Sequence, residues 1–196
     1  MNLKKILILI FFYCMNFTNV YAIEPDVFVQ STVNRASQIL SKEISKDEKI
    51  FQLKKIAEKT VDIKGVGFYS LGQIRKSLDE KQLKKYQELF KAYFLKSFSS
   101  RLAEYTNPEI DVKGKEILNK NYTIVKSVLI STAERPEVKI DWRIYTKNSE
   151  NPLIRDLIIE GLSLARTQKE EFSSIINSNN GDINALFETL EKFAKN

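Results

Sequence analysis

The stretch 138–146, VKIDWRIYT, alternates without a slip, with Val138, Ile140, Trp142 and Ile144 on one face and Lys139, Asp141, Arg143 and Tyr145 on the other. Successive side chains of a strand point to opposite faces, so this is a strand with one dry side and one wet side. A sheet of such strands is antiparallel and needs cover on one face only. That requirement shapes the reading of everything around it.

Three further segments read as strands: 110–115, 122–131 and 153–160. Between the second and third lies Glu134-Arg135-Pro136-Glu137, and between the third and fourth 147–152, KNSENP. Both are turn chemistries of hairpin length, which favours a meander. The cover is helical. Val29, Val33, Ala36, Ile39 and Leu40 recur at helical spacing, and Ser45 with Glu48 forms a capping box ahead of Ile50, Leu53, Ile56 and Ala57. A second box, Ser77 with Glu80, opens the longest helix, whose stripe is Leu83, Tyr86, Phe90, Tyr93, Phe94, Phe98, Leu102 and Tyr105, ended by Asn107-Pro108. After the strands come a helix carrying Phe172, Ile175 and Ile176 and, beyond Asn180-Gly181, a last one capped by Asp182. Helices first, strands in the middle and helices last give an α+β fold, a curved antiparallel sheet of about four strands wrapped by amphipathic helices. With 196 residues, one sizeable core is expected.

Residues 1–22, MNLKKILILIFFYCMNFTNVYA, read as a secretory signal peptide with cleavage after Ala22, leaving 23–196 as a single domain. Asn16, Thr18 and Asn19 interrupt the apolar run short of the roughly 20 residues a spanning helix needs. Cys14 is preceded by Phe11, Phe12 and Tyr13, not by the small residue that lipidation requires, and it is the only cysteine. The exported chain therefore has no disulfide and no thiolate site. The formal charge of +6 loses Lys4 and Lys5 with the leader, and the remaining lysines alternate with glutamates as on solvated helix faces. No basic patch concentrates, so no nucleic-acid partner is expected.

The segment 158–166, IIEGLSLAR, has the G-x-S-x-A outline of a nucleophile elbow, at a strand-to-helix junction where that motif belongs. A serine nucleophile needs a base and a group that orients it, and the chain has no histidine. The alternative base, Lys169, sits beside Glu170 and Glu171. The expected role is structural: Gly161 turns the chain tightly and Ser163 satisfies free amides at the helix start. Metal chemistry is not expected either, because the carboxylates do not cluster at calcium-loop spacing, and Gly65, Gly67 and Gly72 miss the dinucleotide fingerprint. What remains conspicuous is apolar surface without chemistry.

The segment 152–172, PLIRDLIIEGLSLARTQKEEF, resembles the MlaC family, also called the toluene-tolerance auxiliary family, with Asp156, Gly161, Leu162, Ser163, Leu164 and Phe172 on the family's pattern. Val61-Asp62-Ile63 to Leu71-Gly72 and the helix end SSRLAEY, 99–105, are similar to it as well. The family usually has arginine where Phe68 stands and tryptophans where Arg75 and Pro152 stand, which bears on packing over 66–76 and on lipid preference. The resemblance implies a periplasmic phospholipid carrier, not an enzyme, with no cofactor and phospholipid as cargo. It implies as partners an inner-membrane MCE-type ABC transporter and an outer-membrane lipoprotein–porin complex, in a system maintaining outer-membrane lipid asymmetry. Relatives associated with hopanoids leave the lipid class open. From facing and periodicity, the pocket wall expected is Phe90, Phe94, Phe98, Leu102, Val128, Ile140, Trp142, Ile144, Leu157 and Ile159. The alternative is an exported non-catalytic adaptor whose core is fully packed.

Overall fold

The computed structural model describes residues 22–133 and 135–195. The signal-peptide reading thus falls, apart from Ala22, outside the described residues, as does Glu134 of the second hairpin.

Among the described residues six helices and a five-stranded sheet follow one another as α1 (Pro25–Leu40), α2 (Lys46–Thr60), α3 (Ile63–Leu71), α4 (Glu80–Leu102), β1 (Ile110–Asn119), β2 (Tyr122–Leu129), β3 (Val138–Tyr145), β4 (Leu153–Ile159), β5 (Leu162–Ser163), α5 (Leu164–Ser178) and α6 (Ile183–Lys195). The strands lie in sequence order, each antiparallel to the next, and the sheet stays open. None of the described helices is long and apolar enough to cross a membrane. This is the α+β meander that the alternation of β3 called for, with a fifth, two-residue strand added after a turn at Glu160 (φ +48°) and Gly161 (φ +84°). Two consecutive positive φ values give the twist of a two-residue hairpin, and glycine adopts one of them at no steric cost.

The caps show which local signals are sufficient. Ser45 accepts from the Glu48 amide at 3.2 Å, which is half of the expected box; the Glu48 carboxylate accepts from the Gln52 side chain at 2.7 Å instead of returning to the Ser45 amide. The long helix begins differently: Asp79 accepts from the Gln82 amide at 2.7 Å, while the Gln82 side chain accepts from the Asp79 amide at 3.0 Å. Ser77 instead donates to the Ile74 carbonyl at 2.8 Å and closes the preceding 3-10 turn, Gly72–Lys76. The helix also ends earlier, at Leu102, so Tyr105 lies beyond it. β1 runs to Asn119, longer than expected.

Helix α3 has no counterpart in the sequence reading, because two glycines in nine residues each cost about 1 kcal/mol in a helix relative to alanine. Tertiary contacts override that cost. A methyl group on Gly67 would come within 2.7 Å of the Phe90 ring, and one on Gly65 within 2.6 Å of Arg155 Nε. Arg155 in turn donates to Asp62, the α3 cap, at 2.6 Å and to the Tyr122 hydroxyl at 3.0 Å. Close approach of α3 to α4 and β4 is what the glycines permit.

The main core lies between the inner sheet face and the helices, around Tyr86, Phe90, Phe172, Leu186, Leu190, Val125 and Ile144. Phe172 meets Tyr86 and Phe90 edge-on, at 6.5 and 6.2 Å between ring centroids, the geometry that aromatic quadrupoles favour. Each such buried side chain contributes roughly 1.5–3 kcal/mol. The Tyr86 hydroxyl donates to the Gly67 carbonyl at 2.9 Å, and burial pushes its pKa well above the ordinary phenol value. A second, smaller cluster, Ile39, Leu40 and Leu53, joins α1, α2 and the end of α4.

Candidate functional site

At the β4–β5–α5 junction Ser163 caps α5. Its Oγ donates to Asp156 at 2.6 Å and accepts from the Arg166 amide at 3.1 Å, while the other oxygen of Asp156 accepts from the Ala165 amide at 3.0 Å. Asp156 is buried, so its two carboxylate bonds satisfy a group that would otherwise be costly there. The hydroxyl is a helix cap engaged on both sides, and the Lys169 ammonium stands over the Tyr69 ring at 5.6 Å. Among the described residues no three acidic side chains gather as a metal site.

Between the two apolar clusters lies a cavity of about 140 Å³. Its floor is the inner sheet face, Leu129 on β2, Ile140 and Trp142 on β3, and Ile154, Leu157 and Ile159 on β4. The register sets Ile140 opposite Ile159 and Trp142 opposite Leu157, so these four side chains form one continuous surface. A bulge at Arg155 keeps Ile154 on the same side as Leu157. The roof is α1 and α2, and the side wall is the end of α4 with Phe98 and Leu102.

The roof is built from small residues. Ala36, Ser37, Ala57, Thr32 and Thr60 all face the space, beside Leu40, Leu53 and Ile56. Where hydroxyls occur they are engaged by backbone: Thr60 donates to the Ile56 carbonyl at 2.9 Å and Ser37 to the Pro108 carbonyl at 2.7 Å. Trp142, the most polarisable group of the floor, donates through Nε1 to Ser127 Oγ at 2.8 Å, and Ser127 donates onward to the Ile140 carbonyl. The hydroxyls of Ser37, Thr60 and Ser127 and the indole N–H of Trp142 thus have partners, which leaves walls that offer mainly hydrocarbon. Two other depressions, one lined by Tyr69, Arg166, Lys169 and Glu170 and the other by Asn34, Gln38 and Lys42, are polar and open to solvent.

Of the wall residues expected from the sequence, Phe98, Leu102, Ile140, Trp142, Leu157 and Ile159 line this cavity. Phe94 stands one layer back, stacked on Phe98 at 5.4 Å. Phe90 and Ile144 belong to the packed core, at the far end of α4 and of the sheet. Val128 is misplaced altogether. The inner face of β2 is Thr123, Val125, Ser127 and Leu129, as their pairing with Ile144, Trp142, Ile140 and Val138 requires. Two hydroxyl residues on the dry side disguised the phase of that strand. The roof residues were missed as well, and their signal was available in the small side chains at Ala36 and Ala57 on otherwise apolar helix stripes.

The family model described as MlaC protein matches residues 30–192, which spans both clusters, the sheet and the cavity between them. The chain belongs to the MlaC family. A solved structure of similar shape is the phospholipid-binding protein from Ralstonia solanacearum in complex with a phospholipid. The two agree with a TM-score of 0.73 at 17% sequence identity, over 88% of this chain and 98% of that one. At that identity the likeness establishes a shared fold, so the MlaC architecture here is carried by packing pattern more than by particular side chains.

Proposed function

We propose that this MlaC-family protein is a non-enzymatic phospholipid carrier that holds acyl chains between its sheet and the α1–α2 roof. The observation that carries the reading is the apolar cavity, with polar groups around it already engaged, in a chain of a family with a phospholipid-bound member. A diacyl lipid hides on the order of thirty methylenes at about 0.8 kcal/mol each, so unassisted passage through water is prohibitive. A carrier needs walls that match a bilayer without outcompeting it, since a ligand held far more tightly would not unload. Hydrocarbon walls with few specific contacts meet that condition.

Counting about 10–15 Å³ for each water-sized group, the present cavity of about 140 Å³ takes about ten methylenes, whereas two tails bring on the order of thirty. Loading therefore moves the roof away from the sheet. The clusters are divided suitably for this: Ile39, Leu40 and Leu53 form an apolar group of their own, separate from the core around Phe90 and Phe172. The lipid wall proposed is Phe98, Leu102, Ile140, Trp142, Leu157 and Ile159, with Phe94 behind it.

Within this reading the protein works in the periplasm after export by its N-terminal segment. It shuttles lipid between an outer-membrane lipoprotein–porin complex and an inner-membrane MCE-type ABC transporter. Native mass spectrometry of the protein purified without detergent tests the carrier step. One phospholipid per chain is expected, lost in Trp142→Glu while the fold persists. A bare chain mass, unchanged after incubation with phospholipid vesicles, contradicts it.

A further inference from the structure

An apolar cavity deals with the tails of a phospholipid and leaves its phosphate at the rim, beside low-dielectric walls where an unpaired anion is costly. The rim is marked by Tyr105, which lines the cavity and is 39% exposed. Over its ring, at 5.2 Å from the centroid, stands the guanidinium of Arg135. We infer that Arg135 is the phosphate-binding residue of the cavity mouth, an assignment that rests on the carrier reading and names the headgroup chemistry it takes.

Two observations place the residue there. β2 ends and β3 begins at the cavity, with Leu129 paired to Val138 and with Leu129 and Ile140 both on its floor, so the loop between them leaves and rejoins the sheet at that edge. That loop is closed on itself, Thr132 donating to the Arg135 carbonyl at 2.8 Å and Arg135 to the Thr132 carbonyl at 3.3 Å. The guanidinium is therefore held between an anchored backbone and an aromatic ring, half-buried and already partly ordered.

Among the described residues Arg135 is in no ion pair, and its Nε is shielded from solvent without a hydrogen-bond partner. Nearby lysines differ: Lys46 pairs with Glu104 at 2.5 Å and Lys113 with Asp111. A planar guanidinium stacked by one face on a ring keeps its N–H edges free, and such an edge matches two oxygens of a phosphodiester. The contact reads phosphate and not the headgroup alcohol, so phosphatidylglycerol and phosphatidylcholine depend on it alike and a diacylglycerol does not.

The test equilibrates wild type and Arg135→Gln with vesicles of phosphatidylglycerol, phosphatidylcholine or phosphatidylcholine doped with diacylglycerol, and counts bound lipid per chain by native mass spectrometry. Expected is a loss of about tenfold in occupancy by both phospholipids, with diacylglycerol uptake unchanged and partial recovery in Arg135→Lys. Phospholipid loading within twofold of wild type, at unchanged melting temperature, overturns the assignment. Were Arg135→Gln unfolded, Arg135→Met, which keeps the length of the stem without the charge, carries the same expectation. Glycerol phosphate binding to wild type without lipid, lost with Arg135, would mark a free-phosphate site and also overturn it. A wild-type chain that takes up no lipid of any kind removes the carrier reading itself.

Discussion

The same sheet face is packed at one end and hollow at the other. Around Ile144 and Val125, both fully buried, helices α3 to α6 press Tyr86, Phe90, Phe172, Leu186 and Leu190 onto the strands. Four residues along β3, at Ile140, the floor faces Ala36, Ala57 and Ile56 across a void. The strands alternate identically in both halves, so strand pattern does not distinguish them. The difference lies in the helices: aromatic side chains project from α4 and α5, small ones from α1 and α2. In the packed half even a glycine is needed, since Gly67 sits against the Phe90 ring, while in the hollow half an alanine leaves room to spare.

Substitutions of matched kind in the two halves sharpen that contrast. Removing the Phe172 ring, which touches Tyr86, Phe90 and Tyr93, empties a closely packed site. Phe172→Ala is expected to cost about 3–5 kcal/mol in a urea titration. A cost below about 1 kcal/mol would mean that this half is no better filled than the other. Adding a single methyl group at Gly67 comes next, because the added atom has nowhere to go. Gly67→Ala is expected to lower stability by about 1–3 kcal/mol despite alanine's better helix propensity, as read from the denaturation midpoint.

Ser163→Ala removes the cap between β4 and α5 and leaves one oxygen of buried Asp156 with only the Arg143 guanidinium, 3.9 Å away, for an expected loss of about 1–2 kcal/mol. Ser163→Thr retains the hydroxyl and recovers most of it, which thermal melting of the pair will show. The smallest change in stability is expected from the largest added side chain. Ala57→Phe fills the hollow half and leaves stability within about 1 kcal/mol of wild type or raises it, while lipid occupancy drops about tenfold. Should this variant instead be as damaged as Gly67→Ala, the two halves do not differ in the way described.

Much of the architecture was legible beforehand because it rests on local chemistry. The alternation of β3, the cap at Ser45 and the tight turn before Ser163 all depend on neighbours in sequence. The misreadings of β2 and α3 share one cause, a distant contact outvoting a local preference. Ser127 and Thr123 sit on the dry side of β2 because Trp142 and the strand pairing use them there, which put Val128 on the wrong face. Gly65 and Gly67 interrupt a helix on paper but let α3 approach Arg155 and Phe90. Ser77 lost its cap to Asp79 because its hydroxyl closes the turn before. The cavity is the hardest feature of this kind, since it is a distance between layers, and only the small residues of α1 and α2 hint at it.

Trp142 is the single tryptophan of the chain and part of the cavity floor, so its fluorescence reports on what enters. The decisive measurement loads the protein with phospholipid brominated on its acyl chains and, separately, with the unbrominated lipid. Contact between tail and indole predicts strong quenching by the first and none by the second. Stoichiometric lipid binding with equal fluorescence in both would place the tails elsewhere and contradict the cavity as their seat.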